Sequence, residues 1–398
     1  MLRSMLGVCL AVQLWAAPGF AADINVGIIL SATGPAAAIG NAERNGTAFG
    51  PTEIAGRKVN YLFLDEASDS TAAVSALRKL YQESKIDILV GPTSTPGSFA
   101  VIDPAVEYKL PVITLAPVNA LVAPVDARRR WIFKTTTNDD HEAAPLFANM
   151  KKTGVKRLAL IGFADSYGDA WSKVSADMCA AAGIELAANE KYARTDTTVV
   201  GQILKIIAAR PDAVLIAASG APAALPLLQL REKGYEGQIY GTLGATFGDF
   251  RKLTGTQGDG IFVPLSPAVG AASFPDDYPA KKAALEFIQR YEAKFGPGSR
   301  NIFAGSAYDA LILIEQAVPA ALKTGEPGTA EFREGLRSAI EGLKGVAGSR
   351  GVYNYGPNDH TGLDPSALRL GKLDKRMDCS ALSGRTERGH GCRGMSGL

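Results

Sequence analysis

The chain is predicted to be an α/β protein built as two doubly wound parallel-sheet lobes joined by a hinge of several crossings. Short runs rich in Val, Ile and Leu recur about every 25 to 35 residues, at 24–30, 59–64, 86–90, 112–115, 158–161, 213–217, 238–240 and 260–263. Amphipathic stretches with helical spacing separate them, at 71–84, 143–152, 170–182, 199–209 and 223–233. Past residue 264 the alternation stops: a Pro- and Ala-rich segment leads into two or three long helices, over 280–295, 303–322 and 329–343.

The strand runs are continuously apolar, which marks strands buried on both faces and parallel sheets covered by helices on each side. Asp69-Ser70-Thr71, Asn138-Asp139-Asp140 and Thr195-Asp196-Thr197 supply capping chemistry for helix starts, and Gly154, Gly183 and Gly234 stand where helices should end. The order of elements predicts a first lobe from 23–135 plus 265–349 and a second from 136–264 plus 350–373. Crossings between the lobes make a hinge, and the carboxyl ends of the two sheets then face a common cleft. Residues 374–398 are Gly-, Ser- and Arg-rich, unlike folded sequence, and are expected to be a disordered tail.

Residues 1–22 read as an export signal: Arg3, an apolar run from Met5 to Trp15, then small residues up to Ala22. That run is too short for a permanent membrane anchor. The remaining length exceeds what one core usually holds. Lys and Arg total 42 against 40 Asp and Glu, a net charge of +2, which gives no reason to expect a nucleic-acid or anionic-membrane partner. Of the four cysteines, Cys9 lies in the leader, Cys379 and Cys392 in the tail, and Cys179 in an Ala-rich helix as a small buried apolar residue. Neither Cys nor His shows metal-ligand spacing, and no cofactor is expected.

Gly91-Pro92-Thr93-Ser94-Thr95-Pro96-Gly97-Ser98 follows one strand and precedes a helix, so hydroxyls and free backbone N–H groups gather at a carboxyl end. No Gly-Lys-Ser/Thr follows, so it is not a nucleotide phosphate loop. Nor is there a Gly-x-Ser-x-Gly elbow for a serine hydrolase, and His141 and His360 are expected at exposed or capping positions. Tyr167, in the loop after the 158–161 strand, should reach the same cleft from the second lobe. Ser219-Gly220 and Gly241-Thr242-Leu243-Gly244 occupy the next two carboxyl ends with residues small enough for close backbone approach.

With these residues assembled, the chain resembles the periplasmic solute-binding proteins of the branched-chain amino acid transporter type. The resemblance spans about 23–370 and is carried by Val26-Gly27-Ile28 with Thr33-Gly34-Pro35, Leu64-Asp65-Glu66-Ala67-Ser68-Asp69, Val90-Gly91-Pro92, Leu110-Pro111-Val112-Ile113-Thr114, Asp165-Ser166-Tyr167-Gly168 and Pro211-Asp212-Ala213-Val214. It implies the type I periplasmic binding protein fold and the role of substrate-binding component of an ABC importer. Such a protein works free in the periplasm as a monomer, without enzymatic activity, and hands its ligand to permease subunits driven by a cytoplasmic ATPase. It also implies a ligand carboxylate at Ser94 and Thr95, further contacts at Ala116 and Val118, apolar walls at Ile39 and Phe303, and Tyr167 from the second lobe.

In amino-acid binders of this type a second-lobe acid meets the ligand ammonium; here Leu243 stands in that loop, and Val118 replaces a usual hydroxyl. An ammonium desolvated without a carboxylate costs on the order of several kcal/mol, which favours an aromatic or aliphatic carboxylate over an α-amino acid. The alternative reading is a periplasmic sensor of the same fold that reports its ligand to a signalling partner.

Overall fold

The computed structural model describes residues 22–245, 248–373 and 379–381, so the leader, apart from Ala22, lies outside the described residues. The first sheet holds β1 (Ile24–Leu30), β2 (Glu53–Ile54), β3 (Arg57–Asp65), β4 (Ile88–Val90), β5 (Val112–Thr114) and β6 (Ile132–Lys134), in the order β2-β3-β1-β4-β5-β6. Only the β2–β3 pair is antiparallel. Central β1 is buried along nearly its whole length and runs in register with β3 from Ile24↔Val59 to Leu30↔Asp65, which is why its sequence shows no polar alternation.

The second sheet takes β7 (Arg157–Phe163), β8 (Glu185–Tyr192), β9 (Ala213–Ala217), β10 (Gln238–Gly241) and β11 (Phe262–Leu265). A hairpin of β12 (Val346–Ala347) and β13 (Val352–Tyr353) follows, then β14 (Arg369–Leu373) and β15 (Cys379–Ala381), giving the order β15-β14-β11-β10-β9-β7-β8. β14 and β15 are antiparallel additions to a parallel core. The expected disordered tail therefore contributes one short strand, and the rest of it lies outside the described residues.

Capping chemistry sets several helix starts. The Asp69 carboxylate accepts the Ala72 N–H at 2.7 Å and opens Ser70–Ser84. Asn301 and Thr329 open Ile302–Ala321 and Ala330–Glu341 in the same way. Thr195-Asp196-Thr197 does not start a helix: the next one is Val200–Ala208, with no side-chain cap. Gly183, at φ +67°, ends Ser166–Ala182. No helix among the described residues is long and apolar enough to cross a membrane.

One apolar cluster runs from Leu77, Leu89 and Trp131 beside the first sheet to Leu160, Ile216 and Val263 in the second. Another packs Ile28, Val90 and Phe133 against Leu313, Ile314, Phe332 and Leu336 of the late helices. Tyr353, Tyr355, Leu363 and Ala367 belong to that second cluster, so the chain stays against the first sheet well past the expected crossing at 350 and joins the second sheet only with β14. The two tyrosines anchor it there: Tyr355 Oη donates to the Lys134 carbonyl at 2.8 Å and Tyr353 Oη to Asp309 at 2.7 Å. His360 is also not exposed; its ring stacks on Phe133 at 4.1 Å with Nδ1 2.9 Å from the Ile132 carbonyl.

Asp309 is the polar knot of this segment. Besides Tyr353 it accepts the N–H groups of Ser349 at 2.6 Å and Arg350 at 2.9 Å, all fully buried. Asp309→Ala strands two N–H donors and a hydroxyl, so urea denaturation should show a loss of about 3 kcal/mol; a loss under about 1 kcal/mol would refute this anchoring role.

Candidate functional site

The carboxyl ends of β4, β5, β7, β9 and β10 converge on one small pocket of about 50 Å³. The first lobe lines it with Ile39, Ser94 and Thr95, together with Phe303 of the returning helix; the second lines it with Tyr167, Ser219 and Leu243. Ala116 and Val118 do not line it. Leu115 and Pro117 take their places, because successive side chains of an extended segment point to opposite sides and the expected parity was off by one. Ala116 and Val118 instead pack in the apolar cluster, and the Ala116 carbonyl accepts the Thr136 hydroxyl at 2.9 Å. Beside the pocket the lobes meet: a Cβ on Gly220 would stand 3.5 Å from Ile39 Cδ1.

The turn at 91–98 is built differently from the expectation of free N–H groups. Glu66 Oε1 accepts the N–H groups of Thr93 at 3.1 Å and Ser94 at 3.3 Å and the Ser31 hydroxyl at 2.8 Å, so a protein carboxyl already fills that cradle. Ser94 Oγ caps Thr95–Ala100 by accepting the Gly97 N–H at 3.1 Å, which leaves its own hydrogen available. Thr95 Oγ1 has no partner among the described residues. Behind the turn, Thr93 Oγ1 donates to the wholly buried Glu43. Burial pushes Glu66 up to about 7 and Glu43 well above the usual carboxyl range.

Tyr167 sits in the first turn of Ser166–Ala182 rather than in a loop, under the Asp165 cap. Gly168 makes this possible, since a Cβ there would lie 1.8 Å from the Phe163 carbonyl oxygen. The Tyr167 hydroxyl donates to Thr242 Oγ1 at 3.0 Å, and Thr242 donates on to the Ala218 carbonyl at 2.8 Å.

Three charged lining residues went unseen in the sequence: Glu142, Arg194 and Arg350. Glu142 lies on the helix Asp139–Lys152, one turn from its start, on the same buried stripe as Leu146 and Met150. An acid on an apolar stripe was the available signal. Glu142 Oε2 accepts the Leu243 N–H at 3.2 Å and Oε1 the Thr137 hydroxyl at 3.2 Å. Burial lifts its pKa to about 7, opposed by that N–H and by the Arg350 charge. A carboxyl therefore does stand at the Leu243 loop, and the expectation that an ammonium would find none is overturned.

Arg350, 2% exposed, donates Nη1 to the Ile302 carbonyl at 3.2 Å and to Ser306 Oγ at 2.8 Å. Its Nε is buried with no partner, and no carboxylate among the described residues lies within ion-pair distance of it. Arg194 differs, pairing Nε with Asp165 at 2.6 Å and covering the Phe163 ring at 3.8 Å. It also lines a second recess of about 270 Å³, beside Pro35, Ser68 and Pro96.

Two facing sheets of mostly parallel strands, with a pocket walled from both sides, define a binding protein of the type I periplasmic fold. The chain belongs to the periplasmic binding protein family, whose profile matches residues 23–376. Leu/Ile/Val-binding protein BraC3 of Rhizobium johnstonii is 26% identical over 351 residues, covering 85% of this chain and 89% of its own length. An extracellular ligand-binding receptor from Rhodopseudomonas palustris HaA2 is 42% identical, with a TM-score of 0.86 over 90% of this chain and 99% of that one. An ABC-transporter solute-binding protein from R. palustris, solved with benzoate, is 20% identical with a TM-score of 0.76 over 90% and 95% of the two chains, a likeness of fold.

Glu66 yields a prediction. A raised folded-state pKa means that its stability contribution is full below the unfolded value near 4.5 and is lost as pH rises through about 7. Glu66→Gln keeps one acceptor oxygen for Ser31, Thr93 and Ser94 and cannot ionise. In urea denaturation it should match the wild type at pH 5 and exceed it by about 2 kcal/mol at pH 8; equal stability at both would refute the assignment.

Proposed function

We propose that this protein is the solute-binding subunit of an ABC importer, exported to the periplasm by residues 1–22, and that it carries a small organic monocarboxylate in the pocket between its lobes. The observation that carries this reading is Arg350, a guanidinium buried in the pocket wall without a counter-charge in contact and with its Nε unpartnered. Burying a cation unpaired is costly, and a ligand carboxylate is the group that satisfies it, in the two-point geometry that guanidinium favours.

The other lining groups fit the rest of such a ligand. Ile39, Leu243, Ile302 and Phe303 give an apolar enclosure for an aromatic or branched aliphatic body. Ser94 and Thr95 offer hydroxyl hydrogens to a second polar atom. Because walls come from both lobes, ligand binding favours the closed arrangement over an open one, and the closed form is what permease subunits then recognise. The pocket reading is one of binding and release without chemical change.

A thermal-shift screen of aromatic acids, branched aliphatic acids and amino acids should identify the ligand class by stabilisation. Calorimetry with the best organic acid should then show Arg350→Gln weakening binding about 30-fold or more, and Thr95→Ala weakening it about fivefold. Unchanged affinity in Arg350→Gln would overturn the reading.

A further inference from the structure

Glu142 and Arg350 line the same small pocket from different parts of the chain, the first on the second-lobe helix Asp139–Lys152 and the second just before β13. They act on each other electrostatically, the guanidinium favouring the charged form of the carboxyl. We propose that Glu142 is a specificity-determining residue that takes up a proton as an organic anion binds, so that the pocket admits the anion and one proton together.

With the pocket empty, the Glu142 carboxylate keeps the Leu243 N–H, the Thr137 hydroxyl and the field of Arg350 on its side. A ligand carboxylate that pairs with Arg350 cancels that field and brings a like charge close to Glu142. Both changes favour the uncharged acid. A solvent proton then settles on a Glu142 carboxyl oxygen, and the new O–H becomes a donor to the ligand anion. With burial pushing the Glu142 carboxyl up to about 7, uptake approaches one proton per ligand above that pH and fades below it. An ammonium-bearing ligand does the reverse, because it pairs with the carboxylate and keeps it charged.

The other groups facing this carboxyl are Asp139 on its own helix, Lys134 at the end of β6, Tyr167 on Ser166–Ala182 and Arg194 at the pocket edge. Two groups titrate nearby in pH: Lys134, pulled down to about 8 by burial, and Glu66, behind Thr93 and Ser94. The test must separate Glu142 from both.

This inference rests on the organic-anion reading, and the experiment distinguishes the two. Benzoate and isovalerate serve as probes, titrated calorimetrically from pH 6 to pH 9 in pairs of buffers of different ionisation enthalpy, with leucine as the ammonium-bearing comparison. For wild type, affinity for the carboxylates should fall about tenfold per pH unit above pH 7, with proton uptake rising towards one per ligand. Glu142→Gln should bind the same probes with no pH slope and no uptake, at an affinity no weaker than wild type at pH 8. Carboxylate binding without a slope in wild type, or a slope that survives in Glu142→Gln, overturns the proton-uptake proposal alone. Failure of both carboxylates to bind wild type at pH 6, or leucine binding more tightly than either, overturns the organic-anion reading and this one with it.

Discussion

The fully buried carboxyl of Asp309 is the contact on which the arrangement of the site depends. It gathers the Ser349 and Arg350 N–H groups and the Tyr353 hydroxyl at the point where the chain leaves the late helices. Fixing the Arg350 backbone fixes where its guanidinium can reach, and Ser306, one turn before Asp309 on the same helix, holds the guanidinium at 2.8 Å. Tyr355 extends the same anchoring to the end of β6 through the Lys134 carbonyl, and the Tyr353 hydroxyl is shared between Asp309 and the Thr135 carbonyl, where the chain first passes towards the second lobe. Two crossings are thus tied together by buried polar bonds, each expensive to break because the freed groups would find no water.

From that anchor follows an unusual charge distribution in the pocket. Arg194 is neutralised where it stands, by Asp165 and by the Phe163 ring, so it contributes shape and a polar edge more than net charge. Arg350 has no such partner in contact. Glu142 is balanced between burial, which favours its neutral form, and Arg350 with the Leu243 N–H, which favour the charged one. A pocket holding one committed cation and one ambivalent acid responds to the charge of what enters it. A wall of uniform sign would not.

The sheets were legible in the sequence because double-sided burial leaves continuous apolar runs, and β1, β4, β5, β7 and β9 all come from such runs. Ser94, Thr95, Tyr167, Ser219 and Leu243 were legible because they follow strand ends, where topology aims them at the cleft, whereas Ile39 and Phe303 lie on helices and came from the family resemblance. Ala116 and Val118 failed for a local reason, the side-to-side alternation of an extended segment, which strand position does not reveal. Glu142 and Arg350 failed for a global one: neither follows a strand's carboxyl end, and what places them is the packing of one helix and one hairpin against distant chain. Glu66 read as a solvated turn carboxylate, and its service to the Thr93 and Ser94 N–H groups follows from Leu30 and Asp65 ending side by side in the β1–β3 register.

That service bears on how the site discriminates. In a strand-to-helix turn with free N–H groups, affinity for an anion comes from backbone dipoles and depends little on side chains. Here an internal carboxyl occupies those donors, and an anion set against the same turn would face the negative end of Glu66 whenever that group is ionised. On the proposed reading, the anionic end of a ligand would be directed away from the backbone cradle and towards Arg350, leaving the hydroxyls of Ser94 and Thr95 for a neutral polar atom. In that proposal, ligand orientation is set by an occupied cradle at one end and an unmatched guanidinium at the other, with Ile39, Leu243 and Phe303 lining the same pocket.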